Sequence, residues 1–128
     1  EIWDNLISFH AGEGIAESPD DPATGLTCDP LVVGNDLWDN AAPYLDEGTT
    51  GLTIEEVNAL AGAYDNYSAD PVYQDPAAGD YHVLGASVVD AGHPEATRIA
   101  SEDIDGECRV RDGDGDGTAK PDTGADER

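Results

Sequence analysis

Residues 31–40, Leu31-Val32-Val33-Gly34-Asn35-Asp36-Leu37-Trp38-Asp39-Asn40, decide how the chain is read. Three strand-forming residues are cut off by Gly-Asn-Asp, and a second apolar pair is cut off by Asp-Asn. Such punctuation fits tight corners better than a long hairpin. The pattern recurs outward in both directions. Residues 2–9, Ile2 to Phe9, form a β-rich run ended by Ala11-Gly12-Glu13-Gly14, and a small strand is expected at Ile15-Ala16. Residues 18–25 read as a loop. Further short runs lie at Pro71-Val72-Tyr73, Tyr81-His82-Val83-Leu84 and Ser87-Val88-Val89, with Asp75 to Asp80 as the turn between the first two. Short strands with Asn/Asp/Gly corners and no heptads predict a solenoid, a parallel β-helix showing its last two or three coils. So few coils bury little, which points to neighbouring coils before Glu1.

One segment breaks the pattern, a helical excursion at about residues 43–64. Within it Thr53 and Glu56 form the spacing of a capping box, Ile54, Val57 and Leu60/Ala61 share a face, and Gly62 is a stop. A short inserted helix over residues 53–61 follows.

The 128 residues amount to one domain, and 5 basic against 29 acidic side chains give a net charge of −24. That charge excludes nucleic acid and anionic membranes as partners, since both are polyanions. No apolar run reaches the ~18 residues of a membrane span. High charge with low hydropathy favours disorder, but two Trp, five Tyr and the aliphatic runs argue for a folded chain. Two readings of the acidity stand side by side: a halophilic surface, or carboxylates clustered for divalent cations. Methionine is absent, at position 1 included, so a processed product or part of a larger chain is expected. Cys28 and Cys108 are too isolated for zinc. Paired, they close a loop of about 80 residues, stabilising by roughly 4–5 kcal/mol in the chain-entropy model; unpaired, they are two separate thiols.

Several segments, in order, resemble a known family. They are residues 4–15, 34–40, Ser68 to Val83, Gly85-Ala86-Ser87-Val88-Val89-Asp90-Ala91-Gly92, Asp103-Ile104-Asp105-Gly106-Glu107-Cys108-Arg109 and Asp122-Thr123-Gly124-Ala125-Asp126-Glu127. This series resembles the secreted choice-of-anchor Q domain proteins of the pectate-lyase-like superfamily. The resemblance implies an all-β fold, the end of a right-handed parallel β-helix, with an Asp/Gly-rich C-terminal cap. With apolar content falling and Asp and Gly rising after Gly92, the chain is expected to divide into terminal β-helix coils at 1–92 and a calcium-binding cap and tail at 93–128. The resemblance also implies an extracellular or cell-surface location, and no particular activity. The chain departs from the family at Cys108, usually Pro, which suggests a lineage-specific disulfide. It departs again at Thr123, usually Ile.

The sharpest chemical signal is Asp112-Gly113-Asp114-Gly115-Asp116-Gly117. Alternate carboxylates with Gly at the sixth place match the first half of a calcium loop, and Thr118 would give its backbone carbonyl. Position twelve, which should be an acid, is Thr123; Asp122, one residue early, is expected to substitute, with Asp126 and Glu127 as alternatives. The cofactor expected is therefore Ca²⁺, held by Asp112, Asp114, Asp116, Thr118 and Asp122. Asp103, Asp105 and Glu107 form a second acidic group, read as a solvated turn. His10, His82 and His93 show no metal spacing, and Asn66-Tyr67-Ser68 is a glycosylation triplet of low specificity. A β-helix lyase would need a base among Arg98, Arg109, Arg111, Lys120 and Arg128, all in the cap or tail. The function expected is a non-catalytic structural or interaction module, the calcium-stabilised end of a surface protein. Its partners would be upstream coils, neighbouring subunits or a cell-surface polysaccharide. The alternatives are the tail of a carbohydrate-active enzyme with its catalytic residues upstream, and a subunit of an extracellular filament or surface layer.

Overall fold

The computed structural model describes residues 1–94 and 100–128, without the side chains of Thr49 and Thr50. Its strands are β1 (Ile2–Trp3), β2 (Glu13–Ala16), β3 (Val32–Val33), β4 (Ala42–Asp46), β5 (Thr49–Leu52), β6 (Ala63–Tyr64), β7 (Tyr73–Asp75) and β8 (Asp80–Val83). A one-turn helix α1 (Ile54–Val57) follows β5, and a 3-10 turn (Pro76–Ala78) joins β7 to β8. Three small sheets result, ordered β1-β3-β6, β2-β4-β5 and β7-β8.

This corrects the expected fold. No right-handed parallel β-helix or other solenoid is found among the described residues, because the sheets are mixed. Parallel pairing joins β1-β3-β6 and β2-β4 and continues in the isolated bridges Leu6–Asp36 and Asp36–Tyr67, while β4-β5 and β7-β8 are antiparallel. The reason is local. Asp46 pairs with Thr49 across the two-residue link Glu47-Gly48, both at positive φ (46° and 90°). That is the backbone twist that folds a strand back on itself. The 3-10 turn, closed by Gly79 at φ 81°, likewise returns β8 onto β7. Residues 87–89, expected as a strand, lie in a turn over 86–90 that buries Val88 and Val89.

Two-residue strands share few backbone bonds, so side chains complete the stacking. Asn35 Oδ1 accepts from both the backbone N–H and Nδ2 of Asn5, each at 3.0 Å. Asn66 Oδ1 does the same for Asn35, and Asn58 Oδ1 for Asn66. Asn66 is buried within this ladder, which leaves its amide committed rather than open to a glycan. Beside the ladder Ile15, Val32, Leu37, Tyr44, Val57 and Ala63 form the buried apolar cluster, flanked by Ile2, Ile7, Leu52, Ile54 and Leu60. The capping box is formed, with Glu56 N–H donating to Thr53 Oγ1 and Thr53 N–H to Glu56 Oε2. It directs Val57, the one buried residue of α1, into the cluster.

The C-terminal segment is packed, not trailing. Gly124 N–H donates to the Asp4 carbonyl and Thr123 N–H to that of Val88, both at 2.9 Å. Asp122, Thr123, Asp126 and Glu127 are all buried.

Candidate metal centre

The loop that carries the acidic alternation is closed at its neck by an antiparallel bridge between Arg111 and Lys120. Inside it each carboxylate caps the backbone ahead. Asp112 Oδ2 accepts from Gly117 N–H at 3.0 Å, Asp114 Oδ1 from Asp116 at 2.8 Å and Asp116 Oδ1 from Thr118 at 2.7 Å. Gly115 and Gly117 take φ of 77° and 91°, which L side chains rarely adopt. Gly113 is required for a different reason. A Cβ there would lie 2.7 Å from the Arg128 carbonyl oxygen and 2.8 Å from Val89 Cγ1.

Asp112 and Asp114 are brought together, and a third carboxylate arrives from outside the loop. Asp90, Asp112 and Asp114 each offer an oxygen within 4.8 Å of the others. Asp90 reaches in from the end of the 86–90 turn, where φ is 53°, and is buried. Its Oδ2 accepts from Asp114 N–H at 2.9 Å and its Oδ1 from Lys120 N–H at 3.2 Å. Asp116 and Thr118 belong to the loop but not to this group of three. Asp122 lies elsewhere: its Oδ1 accepts from Asp90 N–H at 2.6 Å and its Oδ2 from Arg128 N–H at 3.0 Å. It therefore positions Asp90 from behind. Burial pushes its carboxyl above the usual range, partly offset by those two amides. Glu127, whose oxygens accept from Asp122 and Arg111 N–H, is pushed up to about 7 by the same loss of water.

Asp90 escaped the sequence reading because nothing near it in the chain marks a ligand. The second acidic group is also rearranged by the fold. Asp103 Oδ1 accepts from the amides of Asp105 and Glu107, which makes a turn of them. Asp105 turns instead to His82 on β8, whose Nε2 lies 2.7 Å from Asp105 Oδ2 and 3.9 Å from Asp126 Oδ1. On the other side of the ring Nδ1 lies 2.5 Å from Asp80 Oδ1. Bonding to Asp80, then to Asp105, holds His82 up to about 9.

Arg109 and Arg128 serve the backbone. Arg109 donates from Nη1 to the Gly124 carbonyl at 2.6 Å and from Nη2 to that of Asp122 at 3.2 Å. Arg111 pairs with Glu107, and Arg128 donates to the Leu84 carbonyl. Arg98 lies outside the described residues. Cys28 and Cys108 are both exposed free thiols, so the disulfide considered from the sequence is not formed. Among the described residues no helix is long and apolar enough to cross a membrane. No family model, curated protein or solved structure matches the chain.

Proposed function

We propose that the chain is a non-catalytic extracellular structural module whose C-terminal segment is stiffened by Ca²⁺ at Asp90, Asp112 and Asp114. The observation that carries this reading is the arrival of Asp90, which joins the loop to the body of the molecule through both of its oxygens. Three hard carboxylate oxygens suit calcium, with loop carbonyls and water to fill the remaining positions. The cation relieves mutual repulsion and fixes the loop against the 86–90 turn. At ten to a hundred times the dissociation constant such binding adds about 1.4–2.7 kcal/mol of stability. The partner that fits is a neighbouring chain or an extracellular polysaccharide approached through calcium.

The test is a Ca²⁺ titration of thermal stability at low and at molar NaCl, with a chelator control and Mg²⁺ as competitor. Calcium is expected to raise the melting temperature at both salt levels beyond the magnesium effect, and Asp114→Asn to remove the gain. If NaCl alone gives the full stabilisation and calcium adds nothing, the acidity is a halophilic surface and the reading fails.

A further inference from the structure

A second constellation differs in chemistry from the oxygen-only loop. His82, Asp105 and Asp126 each offer one ligand atom, all within 4.8 Å of one another. They come from β8, from the turn after Asp103 and from the C-terminal segment. The ring is held from behind: Asp80 Oδ1 faces Nδ1 and also accepts from the His82 backbone at 3.2 Å, while Gln74 Nε2 donates to Asp80 Oδ2 at 2.8 Å. A carboxylate can only accept, so Nδ1 carries a proton and Nε2 is the atom left to bind. Nε2 faces two more acceptor-only groups. Asp126 is the telling one. It is 6% exposed and its Oδ2 is pinned by Val83 N–H at 2.9 Å. Its Oδ1 has no hydrogen-bond donor among the described residues and points toward the ring, 3.9 Å from Nε2. A proton on Nε2 serves Asp105 alone. A cation between the three groups serves all of them.

We propose that His82, Asp105 and Asp126 bind one borderline divalent cation of the Zn²⁺ type, independently of the calcium loop. Imidazole nitrogen selects such ions over calcium, and a carboxylate behind the ligating histidine is the usual outer support of a metal-bound imidazole. Three protein ligands leave positions for water, and the open cleft of about 460 Å³ beside them has room for it. Binding exchanges the Nε2 proton, released to solvent, for the metal. The site would tie β8 to the C-terminal segment at a second point, so a metal and not only a proton would hold that junction.

The experiment is a Zn²⁺ titration at pH 8 with Ca²⁺ kept saturating, followed by calorimetry and by ¹⁵N NMR of the histidine rings. One equivalent of Zn²⁺ should move His82 Nε2 to its metal-bound shift and leave Nδ1 protonated. His82→Gln and Asp126→Asn should each lower affinity at least tenfold, Asp80→Asn by about 10–100-fold, and Asp114→Asn not at all. If His82 Nε2 keeps its proton at saturating Zn²⁺, or if the metal signal falls on His10 or His93, the proposal is wrong. The ring spectra of the unaltered protein decide this even where a variant folds poorly.

Discussion

Residues 1–84 and 85–128 are held together by different physics. The first part buries an apolar cluster and threads it with an asparagine ladder, whose amides neither titrate nor carry charge. The second part has Val88 and Val89 as its buried aliphatic residues among those described, and beyond them it buries carboxylates. Asp90, Asp122, Asp126 and Glu127 accept backbone N–H groups that a longer sheet would have paired. A buried carboxylate is a stronger acceptor than a carbonyl but keeps its desolvation cost. The acidic part should therefore open first and respond to pH and cations, while the stack should not.

The largest effect expected is in the stack. Leu37 is 1% exposed within the apolar cluster, and Leu37→Ala should cost about 2–5 kcal/mol. Denaturant melts with and without calcium should give the same loss; a loss that calcium repairs would break the division between the two parts.

Asp4 and Asp36 are buried carboxylates inside the stack, and Asp36 sharpens the comparison. It is fully buried and its Oδ2 has no partner, though Oδ1 accepts from Ala69 N–H at 2.9 Å. Burial raises its carboxyl from 3.8 to about 6. Below pH 3.8 it is protonated in both states. Between 3.8 and about 6 the unfolded chain releases the proton and the folded one keeps it, so stability falls as pH rises through this window. The loss amounts to about 2–3 kcal/mol, complete above pH 6. Asp36→Asn should flatten this slope and leave the protein more stable at pH 8, measured by urea melts across pH 4–8. Glu127, raised from 4.5 to about 7, adds a slope of the same sign from the other part.

Asp122→Ala strips acceptors from the Asp90 and Arg128 amides and should cost about 1–3 kcal/mol. Hydrogen exchange should quicken at Asp90 and Arg128 and stay slow at Val32 and Val33; uniform quickening would mean that the parts unfold together. The smallest effect concerns Val72, a β-branched residue at φ 49°. Its side chain is exposed, so Val72→Asn should stabilise by about 0.5–1 kcal/mol, read as a rise in melting temperature.

The segments that could be read from the sequence were those whose structure is settled within a few residues. Thr53 and Glu56 are three apart, and their capping box is a contact between near neighbours in the chain. The glycines of the acidic loop announce positive φ, and the loop takes it. The expected solenoid went astray at the links. Glu47-Gly48 fell within the expected helical excursion at about residues 43–64, and Pro76 to Gly79 within a turn between two coil strands, whereas their backbone angles reverse the strand. At residues 87–89 strand propensity gave way to a turn, since Val88 and Val89 could be buried without pairing.

By itself the sequence determined the charge, the short strands with their Asn and Asp punctuation, the capped turn of α1 and the presence of an acidic loop. Local sterics and simple counting govern all of these. Only the tertiary structure decided that Asp90 joins Asp112 and Asp114, that Asp122 stands behind Asp90, and that His82 meets Asp105 and Asp126. Those contacts span 23 residues between His82 and Asp105, 24 between Asp90 and Asp114 and 32 between Asp90 and Asp122. Outside the Asp/Gly alternation at 112–117 the aspartates look alike in the sequence, and what separates strut from solvated surface among them is which backbone amides the packed chain leaves without a partner.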